Sequence, residues 1–110
     1  MRNISIVLIS AVLVLALGGC GSGKYDYNKI ADAIKSQGYK CRDLRFGYLL
    51  DNKMMTPYKD DILKMNHLEF DKLIKAMNCD FAKYSIKAQL EKAKKDGDGD
   101  IIEHIEKMGK

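Results

Sequence analysis

Asp96-Gly97-Asp98-Gly99-Asp100 is the densest set of potential ligands in the chain. Carboxylates separated by glycines can fold back on a hard cation such as calcium, which prefers oxygen ligands. In a helix–loop–helix calcium loop, alternating acidic positions lead to a turn glycine and, six residues on, to a bidentate glutamate. With Asp96 in first place, the turn position falls on Ile101 and the glutamate position on Lys107. With Gly99 as the turn residue, the first ligand becomes Lys94 and the last Ile105. Either register lacks essential ligands, so Asp96, Asp98 and Asp100 form at most a weak calcium site. The favoured reading is a glycine-rich turn in which Asp98 or Asp100 caps the next helix.

His67 and His104 are the sole histidines, and neither has a second histidine or a cysteine three or four positions on. Both read as surface residues. Asp60-Asp61 are adjacent in sequence and so do not face each other on a helix; the positive end of a helix dipole accounts for them without catalysis. Ser22, Ser36 and Ser85 lack a nucleophile-elbow context. These observations point away from an enzyme and imply no cofactor. Tyr48, Met54, Met55 and Tyr58 suggest an adaptable binding surface, although completing a small core is the simpler role for such residues.

The N-terminus carries a different kind of chemistry. Arg2 precedes an apolar run from Ile4 to Leu17 broken only by Ser5 and Ser10, and small residues follow. That layout is a secretory leader, and the run is marginal for a permanent span, which needs about 18–20 apolar residues. Leu17-Gly18-Gly19-Cys20 resembles the lipobox of bacterial lipoprotein precursors: an aliphatic residue, two small residues and cysteine. The resemblance implies that the Cys20 thiol receives a diacylglyceryl group. Residues 1–19 are then removed, and the new amine is open to further acylation, for example by palmitate. Several chains hold far more firmly than one, because each buried methylene contributes about 0.8 kcal/mol. It also implies a bacterial cell-envelope location. Gly21 rather than aspartate after the cysteine favours the outer membrane, facing the periplasm, if the source is Gram-negative.

With Cys20 assigned to lipid, Cys41 and Cys79 remain, an even number in an oxidising compartment. A disulfide between them is expected, with two free thiols or half a metal site as the alternatives. No CxxC spacing or paired histidine accompanies them. The mature chain is short for a self-sufficient core, so such a staple is apt. Removing the leader lowers the formal charge from +4 to +3, and lysine dominates the remaining cations. Mixed charges of both signs mark a solvated surface. Planar phosphate recognition recruits arginine instead, so nucleic acid is not an expected partner.

The elements that must position these residues read as a mainly α fold, a small helical domain of four to five short helices over 26–110. Cys20 and residues up to 25 form a flexible tether. Asp26 caps a helix over about 27–37, and Gly38 ends it. Residues 39–50 lean towards a short strand or hairpin, which would make the fold α+β; a helical stripe through Leu44, Tyr48 and Leu49 is the alternative. Thr56-Pro57 reads as a helix start. Asn66 and Glu69 form a capping box for a helix burying Phe70, Leu73, Ile74 and Met77. Asp80 caps a further helix through Ala93, and a last short helix carries Ile101, Ile102, Ile105 and Met108. The expected function is a non-enzymatic, lipid-anchored envelope protein that binds a protein partner near the membrane, as exclusion, immunity or assembly-accessory lipoproteins do. The alternative is a weak calcium- or envelope-polymer-binding module using Asp96–Asp100.

Overall fold

In the computed structural model, which describes residues 24–110, each helix longer than six residues starts at a side chain that accepts a hydrogen bond from its own first turn. The expected leader 1–19, the lipidation site Cys20 and residues 21–23 of the tether lie outside the described residues. The helices are α1 (Tyr27–Ser36), α2 (Phe46–Leu49), α3 (Lys59–Lys64), α4 (His67–Ala76), α5 (Phe81–Tyr84), α6 (Ile86–Asp96) and α7 (Gly99–Lys107). A single 3₁₀ turn, Cys41–Leu44, precedes α2.

Caps set the beginnings. Asp26 accepts from Lys29 N–H at 3.1 Å. In the expected capping box, Asn66 Oδ1 accepts from Glu69 N–H at 2.7 Å while Glu69 Oε1 accepts from Asn66 N–H at 2.9 Å. Caps of this kind stabilise by about 1 kcal/mol each. Left-handed residues set the ends: Gly38 (φ 87°), Asn78 (φ 58°) and Gly97 (φ 72°) follow α1, α4 and α6. In each case the next residue's N–H reaches back to a last-turn carbonyl, Tyr39 to Ile34, Cys79 to Ile74 and Asp98 to Ala93, which completes a Schellman closure.

α1 and α4 form the centre of the core. Ile30, Ala31 and Ile34 from α1 meet Phe70, Leu73 and Ile74 from α4, and all are buried. Full burial of one such large side chain contributes about 1.5–3 kcal/mol. The two helices run in the same direction. The Glu69 charge at the start of α4 reaches Tyr27 at the start of α1, adding to the effect of burial on its pKa, and Cys41 and Cys79 are bonded beyond the ends with Cα atoms 5.7 Å apart. The expected cross-link is therefore present, and it joins the segments that leave the two most buried helices. Phe46 stacks on Phe70 at a centroid distance of 4.9 Å, bringing α2 onto this pair. Ile62, Ile86 and Ile105 close the core from α3, α6 and α7.

The mainly helical expectation holds, with three differences in detail. There is no strand or hairpin at 39–50, nor any strand elsewhere among the described residues. Leu44, Phe46 and Leu49 are all fully buried while Tyr48 is exposed. The helical stripe through Leu44, Tyr48 and Leu49 is not that set, because the 3₁₀ turn shifts the angular phase between Leu44 and Phe46. The expected four to five helices become seven. One addition is α2. The other arises because the helix begun at Asp80 breaks at Ser85, whose backbone is extended (φ −63°, ψ 161°) and whose hydroxyl caps α6 by accepting from Ala88 N–H. Thr56 is not a helix cap. Its backbone carbonyl accepts from Lys59 N–H at 3.1 Å, and α3 starts after Tyr58.

Candidate functional site

Between α2 and α3 the chain makes a loop whose shape is fixed by one lysine. Asp51 Oδ1 accepts from Lys53 N–H at 2.9 Å and folds the first turn. The Lys59 ammonium then donates to the carbonyls of Asp51 at 2.6 Å and Met54 at 2.9 Å, tying the loop to the start of α3. Thr56 is buried and Tyr58 takes a left-handed conformation (φ 61°), which is uncommon for a bulky non-glycine residue. The result is a braced loop with Met55 pointing outward, 74 % exposed, beside Tyr58 at 38 %. Next to them lies an open cavity of about 750 Å³ bordered by Leu49, Met54, Tyr58, Asp60, Asp61 and Leu63.

The suspected surface of Tyr48, Met54, Met55 and Tyr58 is thus only partly assembled. Met54, Met55 and Tyr58 share one cavity, whereas Tyr48 borders a smaller one of about 230 Å³ with Arg45, Gln89, Lys92 and Asp96. Asp60 and Asp61 occupy the first turn of α3, where the helix dipole favours negative charge.

Asp98 is the cap of α7, accepting from Ile101 N–H at 3.4 Å, and Asp100 lies in that helix's first turn. Asp96 ends α6 and pairs with Lys92 at 3.2 Å on an exposed surface. Among the described residues no three His, Cys, Asp or Glu side chains are grouped so as to hold a metal ion. Capping is the role the sequence favoured for Asp98.

The histidines have more to do with packing than a surface assignment implies. His67 Nε2 lies 2.7 Å from the Ile105 carbonyl, and His67 N–H donates to the Gly109 carbonyl, so the end of α7 is held to the start of α4. His104 packs on Phe46, with ring centroids 5.2 Å apart, and its Nε2 is buried without a partner. Burial, and secondarily the Lys107 charge, lowers its pKa from the usual 6.5.

Gln89 carried no signal in the sequence. Its side chain accepts from Phe46 N–H at 2.9 Å and donates to the carbonyls of Leu44 at 3.2 Å and Tyr84 at 2.9 Å. One amide therefore serves the start of α2, the 3₁₀ turn and the broken end of α5. Ile86 N–H similarly donates to Asp71 Oδ1 at 2.8 Å, which supports the break at Ser85. Because Phe46 and Leu44 are remote from Gln89, and Asp71 from Ile86, no local pattern reveals these bonds.

No helix among the described residues is long and apolar enough to cross a membrane. No family model, curated protein or solved structure matches the chain.

Proposed function

We propose that the chain is a small lipid-anchored protein of the bacterial cell envelope, tethered through acyl chains on Cys20, and that it acts without catalysis by binding a protein partner near the membrane. The anchor rests on the sequence Leu17-Gly18-Gly19-Cys20 behind an apolar leader. The binding role rests chiefly on the loop between α2 and α3. Met55 is the most exposed large apolar side chain of the described residues, at 74 %, and the Lys59 ammonium holds the backbone that presents it. A methionine held outward beside a tyrosine suits an adaptable apolar contact, and holding the loop in advance lowers the ordering cost of binding.

Site-specific photo-crosslinking in intact cells tests this. A photoreactive side chain at Met55 is expected to give one discrete protein adduct, and the same group at Lys87 on the solvated face of α6 is expected to give none. The absence of an adduct at Met55, or a similar smear at both positions, rejects the loop as the contact.

A further inference from the structure

The start of α1 is where the tether leaves the described domain, and several other features gather at that end. Burial raises the Tyr27 pKa, and the Glu69 charge in the first turn of α4 is near enough to add to it. His67 N–H donates to the Gly109 carbonyl, which brings the C-terminal residues there. Asn66 Cβ lies 3.6 Å from where a side chain on Gly109 would begin. Tyr25 and Tyr27 sit with their rings 6.2 Å apart, and the Lys24 ammonium lies 5.5 Å from the Tyr25 ring.

Leu68 is also in the first turn of α4 and is 58 % exposed. Side chains on an α-helix tilt towards its N-terminus, so Leu68 leans towards the tether end. Lys64 is two residues before the Asn66 cap and Lys110 follows Gly109, while the Asp26 cap of α1 adds one carboxylate to this end. The Glu69 carboxylate of the first turn of α4 is engaged by the Asn66 N–H.

The length of the tether limits what this end can meet. From Cys20 to Lys24 there are four chain steps, which span at most about 14 Å when fully extended. An acylated Cys20 lies at the lipid surface, so this end of the domain cannot leave the neighbourhood of the headgroups. Tyr27 packs against the core with its hydroxyl buried, but an exposed leucine, the partly exposed Tyr25 and three lysines match such a layer: apolar and aromatic groups settle at the boundary, and ammonium groups pair with anionic headgroups.

From this placement we infer that the Tyr25–Tyr27–Leu68 end of the domain is a membrane-docking face, seated on anionic phospholipid and fixing the orientation in which the rest of the surface is presented. The inference rests on acylation of Cys20. Phe81, 42 % exposed, lies beyond the opposite end of α4, which is about 15 Å long, so in this seating it lies away from the lipid.

The chain contains no tryptophan, so single Leu68→Trp and Phe81→Trp variants report one position each, and both sites are exposed enough to accept the ring. The full lipoprotein is purified from membranes and reconstituted into vesicles of phosphatidylethanolamine and phosphatidylglycerol, with or without brominated acyl chains. Leu68→Trp is expected to lose more than half its emission in brominated vesicles, and Phe81→Trp to change little. Equal quenching at both positions, or quenching at Phe81→Trp alone, overturns the docking face. Intact masses of the same samples separate the two failures. An acylated chain with unquenched Leu68→Trp removes this inference alone, whereas an unacylated chain removes the anchor and the face together.

Discussion

Replacing Gln89 with leucine removes the one side chain that joins three elements while leaving their backbone groups in place. The side chain is buried, 7 % exposed, and bonds Phe46 N–H, the Leu44 carbonyl and the Tyr84 carbonyl. Leaving a buried polar group unpaired costs about 1–3 kcal/mol. Phe46 and Leu44 are fully buried residues, while Tyr84 is partly exposed and its carbonyl can recruit water. Two strongly affected groups and one weakly affected group give a loss of about 3 kcal/mol, because the added leucine regains only part of it by apolar burial. For a domain of this size, each kilocalorie corresponds to about 4–8 °C in Tm. Urea unfolding of the disulfide-intact protein, followed by far-ultraviolet circular dichroism, is the assay. The midpoint is expected to fall with little change in slope. A Gln89→Leu variant within about 0.5 kcal/mol of the parent, the range of ordinary surface changes, would refute the idea that this amide organises the region.

Three further expectations concern the cross-link, the buried histidine and the acidic loop. Replacing Cys41 and Cys79 together by alanine opens a link across a separation of 38 residues, and the chain-entropy model gives a loss of about 4 kcal/mol; urea unfolding with and without reductant checks it, since reductant should then affect only the parent. For His104 the folded-state pKa is depressed by burial first and Lys107 second, so its contribution to stability is complete above the unfolded value of 6.5 and is lost as pH falls through the lower folded value. Melting curves between about pH 7.5 and pH 5.5 should therefore fall more steeply for the parent than for His104→Phe, and equal slopes would remove the buried imidazole as the cause. For Asp96, Asp98 and Asp100, a site with Kd of about 1 mM would add about 1.4 kcal/mol at about 10 mM calcium; calorimetric titration is expected to show no heat and no such gain.

How much of this the sequence disclosed follows from the range of the interactions. α1 and α4 were legible because their caps, closures and apolar stripes lie within one helix and its flanks, as with Asp26 and Gly38 or Asn66 and Glu69. The cysteine pair was legible through counting, once Cys20 had been assigned to lipid. The 39–50 segment was misread as extended because its buried set, Leu44, Phe46 and Leu49, follows two different periods in succession. The break at Ser85 was missed because Asp71 stabilises it from another helix, by accepting from Ile86 N–H. Within the candidate surface, Met54, Met55 and Tyr58 were found by type, but Lys59, which fixes their loop, looked like any solvated lysine. Nothing in the sequence signalled that Tyr48 would border another cavity.

The anchor itself is tested most directly by the mass and N-terminus of the protein extracted from its native membrane. Lipid attachment predicts a chain that starts at Cys20, carries the added mass of a diacylglyceryl group, and shows the two-hydrogen deficit of the Cys41–Cys79 bond. A chain that still begins at Met1, or one that begins at an unmodified Cys20, contradicts it.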